Sequence, residues 1–513
     1  MNAATESEAP IGASAWTGFA AMCLGMFMAI LDVQVVATSL PTIQKALAIT
    51  PDRMSWIQTA YLIAEIISIP LTGYLMRVFT MRWLFVGAVA LFTLASIACG
   101  EATSFPALIA FRVVQGFAGG SLIPSVFSAI FLLFPLRSQP LAATLAGLLA
   151  VLAPTLGPVV GGWITDTYTW PWLFRINVGP GIAAAALAAM TLPKARPAFG
   201  ELRRLDVVAL GLVAVALAAL EVAIKEAPQR GWTAPLVSGL LAVFVAASAA
   251  FIARTLRAPQ PLVELRTFAD RNFSIGCLLS FVFGMGLYGS VYLMPIFLAY
   301  VRGHNAFAIG RIMLVTGVTQ LCAAPVAAAL VRRVDVRILT AFGFALFAAG
   351  LYMSADQTRL TDFSQMFWPQ VARGAAIMFC IIPPTELALG RLAKSAIADA
   401  SGLFNLMRNL GGAIGIAAID TIIDTRAPEH AQQIVHRLMA GDLATATALG
   451  IPADTFGPAL LEPANRAAVS SLVNTLAYVE AVNDAWAVLA VATAVVTVAV
   501  LLARRVSAGA DIR

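Results

Sequence analysis

The sequence predicts an all-α polytopic membrane protein. Hydrophobic residues make up 60% of its 513 residues, charged residues make up only 12%, and the mean hydropathy is +0.85. Apolar runs of about twenty residues, the length that a helix needs to cross the hydrocarbon core of a bilayer, recur along the whole chain. This composition excludes a soluble domain of comparable length.

Fourteen candidate transmembrane helices can be placed along the chain, and an even number puts both chain ends on one side of the membrane. Basic, proline-bearing stretches at 193–205 and 254–272 bracket the seventh and eighth helices. The pattern predicts a six-helix bundle at 1–192, a linker with two extra transmembrane helices at 193–272, and a second six-helix bundle at 273–513. The expected helices are 14–36, 53–75, 83–101, 106–130, 141–165, 172–192, 206–225, 235–254, 273–300, 306–331, 337–354, 364–388, 398–423 and 478–503.

The distribution of basic residues predicts the orientation. Loops on the side of the termini hold most of the arginines and lysines, for example Arg77 and Arg82, whereas the short loops opposite hold few, such as Lys45 and Arg359. This bias predicts that both termini are cytoplasmic. Residues 1–13 lack the basic flank of a signal peptide, so the first apolar run is expected to be a retained span.

One loop on the side opposite the termini, 424–477, is about fifty residues long and predominantly polar, with a helical pattern near 428–447. Loops of this length are uncommon between helices. The two interpretations are a surface that docks a partner protein and a tolerated insertion.

Cysteine and histidine do not indicate a metal centre. The five cysteines all lie within apolar runs, and the three histidines are scattered along the chain, so neither a metal site nor a disulfide framework is expected. A nucleophile–base pair, a phosphate-binding loop and a metal-ligand cluster are also missing from the sequence. These absences argue against a membrane-bound enzyme or sensor and against ATP-driven transport.

The segment 152–164, LAPTLGPVVGGWI, concentrates proline and glycine within one apolar run. Small residues spaced three and four apart let a neighbouring helix approach closely, and prolines bend the axis. Spacing alone predicts a tightly packed, kinked helix. The segment also resembles the Gly-x-x-x-Gly-Pro-x-x-Gly-Gly antiporter signature of the major facilitator superfamily. Its residues are Pro154, Gly157, Pro158, Gly161 and Gly162, with Pro154 or Ala153 in the place of the first glycine.

Asp32 lies near the end of the first predicted helix, in AILDVQVVATSLP. This stretch resembles the Leu-Asp-x-Thr-x-x-x-x-x-Leu-Pro signature of fourteen-span drug:proton antiporters, except that Gln34 replaces the threonine. The resemblance implies a carboxylate that alternates between a proton and a cationic substrate. The alternative is a helix-end residue that water satisfies.

Arg112 and Gln115 share a helix face in LIAFRVVQGFAGG, which resembles the fourth-helix motif Arg-x-x-Gln-Gly of the superfamily. A buried guanidinium needs acceptors and does not readily lose its proton. The resemblance implies a role in proton coupling. The alternative is a permanent ion pair with Asp32 or Glu65.

Glu65 lies midway along the second predicted helix. The resemblance implies a neutral residue at this place, so the acid is a departure from the family pattern. A charged side chain at that depth costs at least about 2.5 kcal/mol on insertion scales, so it is a functional candidate by default. Low polarity also favours the protonated acid. Glu65 is therefore predicted to be a proton or substrate site, with pairing to a buried arginine as the alternative.

Two further segments carry the resemblance less completely. GYLMRVFTMRWLF (73–85) lies where the superfamily has a cytoplasmic-gate motif, but Arg77 stands in place of its aspartate. ASGLFNLMRNLGGAIG (400–415) resembles the penultimate helix of the same branch. Arg408 in this segment and Glu386 in the preceding helix form a possible second buried pair, for which a structural role is favoured over transport chemistry.

Together these motifs resemble the EmrB/QacA-like, fourteen-span drug:proton antiporters of the major facilitator superfamily, and most closely the EmrB-type multidrug efflux pumps. The resemblance implies two bundles that rock around a midplane cavity and export small amphipathic or hydrophobic compounds. A proton gradient would supply the energy, without a cofactor. It also implies a bacterial inner membrane, a periplasmic adaptor and an outer-membrane channel. The alternative is a dedicated exporter of a single metabolite or siderophore.

Overall fold

The apolar runs of the sequence form long α-helices. The computed structural model describes residues 13–135, 137–200, 206–258, 264–331, 333–392, 397–450 and 463–504, and within them it contains helices and turns but no strand. Parts of three predicted loops, at 201–205, 259–263 and 451–462, lie outside the described residues.

Seven helices build the first bundle. The second and third predicted spans form one continuous element that breaks at Thr80, whose backbone has φ 73° and ψ 157°. This left-handed φ is strained for a β-branched residue and reverses the chain between the two spans. The helices are α1 (Ala13–Ala46), α2 (Pro51–Met54), α3 (Trp56–Gly100), α4 (Phe105–Leu133), α5 (Gln139–Thr167), α6 (Trp172–Arg175) and α7 (Val178–Thr191).

Nine further helices follow in the described part of the chain. The last long helix is continued by a 3₁₀ turn at Val498–Leu502. The helices are α8 (Val207–Arg230), α9 (Pro235–Arg257), α10 (Arg271–Tyr300), α11 (Ala306–Leu330), α12 (Val336–Tyr352), α13 (Phe363–Leu389), α14 (Ile397–Met439), α15 (Leu443–Ala448) and α16 (Pro463–Thr497). We refer to α1–α7 as the first bundle, α8 and α9 as the extra pair, and α10–α16 as the second bundle.

Asx side chains fix the starts of many of these helices. Asp206, Asp270, Asn305 and Asp362 each accept a hydrogen bond from a backbone N–H in the first turn of α8, α10, α11 and α13. These N–H groups have no partner within the helix, so each cap satisfies a donor that would otherwise be left at the membrane boundary.

The number of spans agrees with the prediction. In the described part of the chain, 12 helices are long and apolar enough to cross a membrane, and the shorter apolar segments Trp56–Ile69 and Val336–Tyr352 complete the fourteen. We call the face on which the chain begins and ends the termini side, and the other face the opposite side. The protein is therefore a multi-pass membrane protein.

The extra pair packs against the second bundle. α8 and α9 form a hairpin that turns at Gly231, and they share a small apolar cluster of Ala223, Ala227 and Val237. Thr421 of α14 donates a hydrogen bond to the carbonyl oxygen of Ile224, over 3.2 Å. The pair thus lies on the outer surface of α14.

The loop predicted at 424–477 is largely helical. α14 continues to Met439 and α16 begins at Pro463, both beyond the predicted ends of their spans. The apolar residues of this region recur at intervals of three and four and bury one face of each helix. They form a separate core of Ile434, Ala446, Leu449, Val473 and Ala477. We call residues 424–450 and 463–477 the helical extension.

A group of ionic contacts joins the two helices of the extension at its base. His430 of α14 lies between two acids of α16, with its Nδ1 3.0 Å from Glu480 Oε2 and its Nε2 2.7 Å from Asp484 Oδ2. Arg426 Nε also lies 2.8 Å from Asp484 Oδ2. These contacts hold the extension to the bundle where the helices leave the apolar part of the protein.

Candidate functional site

Asp32 is at the centre of a polar cluster inside the first bundle. Arg112 Nη1 of α4 lies 2.5 Å from Asp32 Oδ2, and both side chains are 0% exposed. Asp32 Oδ1 accepts hydrogen bonds from Gln115 and from Asn177, each over 2.9 Å. Ser96 of α3 accepts a further bond from Gln115. One carboxylate therefore joins side chains from four helices: α1, α3, α4 and the start of α7.

The position of Asp32 excludes one alternative drawn from the sequence. α1 extends to Ala46 rather than ending near residue 36, so Asp32 lies within the helix and is fully buried. It is not a helix-end residue satisfied by water. The other alternative, an ion pair of Arg112 with one of the two acids, is formed with Asp32.

Arg112 is held on several sides. Its Nε donates to the carbonyl oxygen of Ile57 over 3.0 Å, and its Nη1 donates to Gln115 over 2.7 Å. The guanidinium carbon lies 4.4 Å from the centre of the Tyr61 ring. This cation–π contact and the hydrogen bonds compensate the buried charge together with Asp32.

Glu65 lies at the boundary between the two bundles and is 4% exposed. Its Oε2 accepts a hydrogen bond from Asn409 Nδ2 of α14 over 3.1 Å. Asn409 Oδ1 in turn accepts one from the hydroxyl of Tyr288, on α10, over 3.1 Å. Glu65 thus reaches from the first bundle into a polar pair of the second, and its hydrogen-bond partner is a neutral amide.

Tyr61 connects the surroundings of the two acids. It lies one helical turn before Glu65 on α3, and its ring packs under Arg112. Its hydroxyl is buried and has no hydrogen-bond partner within the described part of the chain. A change in the position of Tyr61 would therefore change the surroundings of both Arg112 and Glu65.

The proline- and glycine-rich segment of α5 contacts a different helix on each of two sides. A Cβ built on Gly161 would lie 2.6 Å from the carbonyl oxygen of Val35 in α1. One built on Gly162 would lie 2.2 Å from the carbonyl oxygen of Ala306 in α11, and Gly310 of α11 approaches Pro158 as closely. α5 is therefore packed without space for side chains against α1 and against the second bundle.

The other residues of that segment take part in the same packing. Gly157 faces Gln34 of α1, where a Cβ would meet the Gln34 side chain at 2.4 Å. Pro154 and Pro158 both lie inside α5. The segment thus packs closely against its neighbouring helices, as its spacing predicts.

The predicted second buried pair does not form. Arg408 donates to Asn405, three residues earlier on the same helix, and Glu386 is exposed on α13. The nearer partner on its own helix satisfies Arg408, whereas Glu386 lies on the solvent- or lipid-facing side of its helix. Arg408 is instead the neighbour in sequence of Asn409, which contacts Glu65.

Polar contacts join the two bundles on the opposite side. Asp166 at the end of α5 accepts a hydrogen bond from the backbone N–H of Phe307 over 3.0 Å. Ser55 donates to Asp420 of α14, which also accepts from Tyr292 over 2.6 Å. These contacts and the close packing of α5 on α11 close the opposite side in this conformation.

Several site residues were missed by the sequence analysis. Asn177 directly precedes α7, and nothing in the sequence indicates that its side-chain amide reaches Asp32. Asn409 is a neutral residue beside the charged Arg408, and its side chain carries no signal in the sequence. Within the described residues, no group of three or more His, Cys, Asp or Glu side chains is placed to hold a metal ion.

Comparison with known proteins agrees with this architecture. The chain is 38% identical to the colistin resistance protein EmrB of Acinetobacter baumannii over 436 residues, 85% of each chain, and 32% identical to the multidrug export protein EmrB of Escherichia coli over 416 residues, 81% of each. A similar fold is found in a solved structure of a bacterial homologue of the human lysosomal transporter Spinster. That structure is in an inward-facing and unoccupied conformation. The TM-score is 0.61 at 15% identity, over 96% of this chain and 97% of that one. Residues 22–416, which include Asp32, Glu65, Arg112 and the α5 segment, match the Major Facilitator Superfamily, and the chain belongs to this family of transporters.

Proposed function

We propose that this protein is a proton-coupled antiporter that exports small amphipathic or hydrophobic compounds by alternating access. The observation that carries the proposal is the hydrogen bond between Glu65 and Asn409, because it joins a buried carboxyl group of one bundle to the other bundle. When two bundles rock around a central site, contacts at their boundary change. The charge of Glu65 can thus depend on the conformation, which is the requirement for coupling.

The two buried acids have different parts in this mechanism. Asp32 is compensated by a full positive charge and two amide donors, and removing one partner of such a buried pair typically costs about 3–5 kcal/mol. Glu65 has one neutral amide donor, which stabilises a carboxylate much less. Glu65 is therefore the acid that exchanges a proton, and the Asp32–Arg112 pair is a fixed charge arrangement beside it.

The proposed cycle exchanges a proton for a substrate molecule at Glu65. A proton from the opposite side binds the Glu65 carboxylate and gives the neutral acid. The bundles then rock so that the site opens to the termini side. There the acid releases this proton, and the carboxylate is free to interact with the next amphipathic substrate. The proton gradient supplies the energy, and no bound cofactor takes part.

The multidrug character of the proposal is supported by the relatives. Two of them are named for multidrug export and for colistin resistance, and the chain covers more than four fifths of each. The buried acids lie within apolar helices, and such surroundings favour compounds with hydrophobic parts. This environment fits amphipathic compounds better than polar metabolites.

We further infer a bacterial inner membrane with cytoplasmic termini, as the distribution of basic residues suggests. The helical extension would then lie in the periplasm, where a periplasmic adaptor and an outer-membrane channel would complete a tripartite pump. Exposed apolar side chains on the extension, Val435, Met439 and Leu443, support a protein contact at this place.

The proposal is tested with purified protein in liposomes that carry an imposed pH gradient. A fluorescent amphipathic cation reports transport. We expect the cation to accumulate against its concentration only when the gradient is present, and we expect Glu65→Gln to abolish this accumulation. Glu386→Gln is the matched control because Glu386 is an exposed acid in a neighbouring membrane helix. Accumulation that does not depend on the gradient would refute proton coupling, and full coupling in Glu65→Gln would refute the assignment of Glu65.

A further inference from the structure

The second bundle contains a buried arginine without a carboxylate partner. Arg373 of α13 is 3% exposed. Its Nη2 donates to the sulfur of Met294 over 3.0 Å, and its guanidinium carbon lies 4.6 Å from the centre of the Trp486 ring. Its Nε has no hydrogen-bond partner, and none of the ion pairs formed by the described residues includes Arg373. A thioether is a weak acceptor, so most of the positive charge is left uncompensated.

The place of Arg373 in its bundle corresponds to that of Arg112. Arg112 lies on the fourth span of the first bundle and contacts Asp32 on the first span, and Phe174 lies beside it at the start of the sixth. Arg373 lies on the fourth span of the second bundle and contacts Met294 on the first span and Trp486 on the sixth. The two sites thus share an arginine and an aromatic ring, but a methionine occupies the position of the acid.

A small cavity adjoins Arg373. It has a volume of about 30 Å³ and is lined by Met294, Ser354, Gln357, Thr361, Met366 and Arg373. This volume is sufficient for a particle of about the size of a water molecule. The lining includes residues of the turn between α12 and α13, which lies on the opposite side of the membrane. Asp356 of this turn also lines the cavity, but it is exposed to solvent.

We propose that this cavity binds one small monovalent anion of the size of chloride, which acts as the counter-charge of Arg373. A buried guanidinium does not lose its proton, and an uncompensated buried charge is strongly destabilising. Water can accept a hydrogen bond from Nε but leaves the net charge unchanged. The volume admits a halide. The anion would take the place that the Asp32 carboxylate has in the first bundle.

The test measures the thermal unfolding of the purified protein in sodium chloride and in sodium gluconate at the same ionic strength. We expect the Tm in chloride to be higher by about 2–4 °C, with bromide acting like chloride. Equilibrium binding of radiolabelled chloride gives the direct measurement, with about one ion bound per chain. Equal Tm values in the two salts and no bound chloride would overturn the proposal, and the cavity would then hold a water that bridges Arg373 and Gln357.

Three variants distinguish this site from a general effect of salt. Met294→Asp supplies a carboxylate at the position that the first bundle uses, so it should abolish the chloride effect while keeping the protein stable in gluconate. Arg373→Gln should also abolish chloride binding. Arg311→Gln, which changes an exposed arginine of the same bundle, should leave it unchanged. A chloride effect that persists in both Met294→Asp and Arg373→Gln would overturn the proposal.

Asp356 is the competing source of negative charge. If chloride is the counter-ion, Asp356→Asn removes a repulsive charge near the cavity and should tighten chloride binding severalfold. If the Asp356 carboxylate itself compensates Arg373, the same variant would lower the Tm in gluconate and wild-type protein would bind no chloride, which would overturn the proposal.

Discussion

Asn409 donates a hydrogen bond to Glu65 over 3.1 Å, although the two residues are 344 positions apart and belong to different bundles. The carboxyl group lies in the apolar interior, and the amide is fixed in place by the hydroxyl of Tyr288. A movement of one bundle relative to the other changes this contact directly. The link between protonation and conformation can therefore be tested at a single hydrogen bond.

Glu65→Gln should separate proton coupling from substrate exchange. Glutamine keeps the size of the side chain and can still bond to Asn409, but it cannot bind or release a proton. We expect proton-driven accumulation to be lost, while exchange of labelled for unlabelled substrate without a gradient continues. The remaining exchange should also lose the pH dependence of the wild type. Exchange measured in liposomes across a pH series checks this result, and an unchanged pH profile would contradict it.

Asn409→Leu should weaken coupling without destroying the fold. The change removes the amide that bonds Glu65, and leaving a buried polar group without its partner costs about 1–3 kcal/mol. We expect gradient-driven transport to fall about tenfold or more, which corresponds to at least about 1.4 kcal/mol. Gln432→Leu is the control because Gln432 is an exposed amide on the same helix. Equal losses in both variants would indicate a general defect of α14.

Asp32→Asn should destabilise the protein, in contrast to Glu65→Gln. The substitution leaves the Arg112 guanidinium buried without a negative partner, which costs about 3–5 kcal/mol. Glu65 forms no direct ion pair, although the Arg408 guanidinium interacts with it electrostatically, so loss of its charge should cost less stability than loss of the Asp32 charge. Thermal unfolding of the two variants in the same detergent gives the comparison. A smaller loss of Tm in Asp32→Asn than in Glu65→Gln would show that the two roles have been assigned the wrong way round.

Gly162→Ala should oppose closure of the opposite side. The added methyl group would lie 2.2 Å from the carbonyl oxygen of Ala306, so α5 and α11 must move apart. The Phe307 backbone N–H donates a hydrogen bond to Asp166 in this conformation, so the rate of its hydrogen exchange reports the change. We expect faster exchange in Gly162→Ala and no change in Gly179→Ala, since nothing lies within 4 Å of a Cβ at Gly179.

The helical class and the number of spans could be predicted from the sequence because span length and composition determine them. Apolar runs of sufficient length must become helices in lipid, where every backbone group needs an internal partner. Helix ends were predicted less well, since α1, α14 and α16 extend beyond their apolar runs. In α14 and α16 the cause is the small apolar core of the helical extension, which stabilises helix outside the hydrophobic segment.

The site could be predicted only in part. Charged residues within apolar helices, such as Asp32, Glu65 and Arg112, stand out because they are costly in lipid. Their neutral partners do not stand out, and Asn177 and Asn409 are ordinary polar residues until the fold brings them to a carboxylate. The predicted pair of Glu386 and Arg408 failed for a related reason. Opposite charges on successive helices need not point toward each other, and here Glu386 faces outward.

α14 connects the Asn409–Glu65 hydrogen bond to the helical extension, which lies well outside the membrane interior. Asn409 and Met439 lie on the same helix, which has 43 residues, and the thirty residues between them span about 45 Å at 1.5 Å per residue. A tilt of about 5° at the level of Asn409 would displace the far tip by roughly 4 Å. The residue that bonds to Glu65 and the far end of the helical extension therefore belong to one helix, with Pro428 between them.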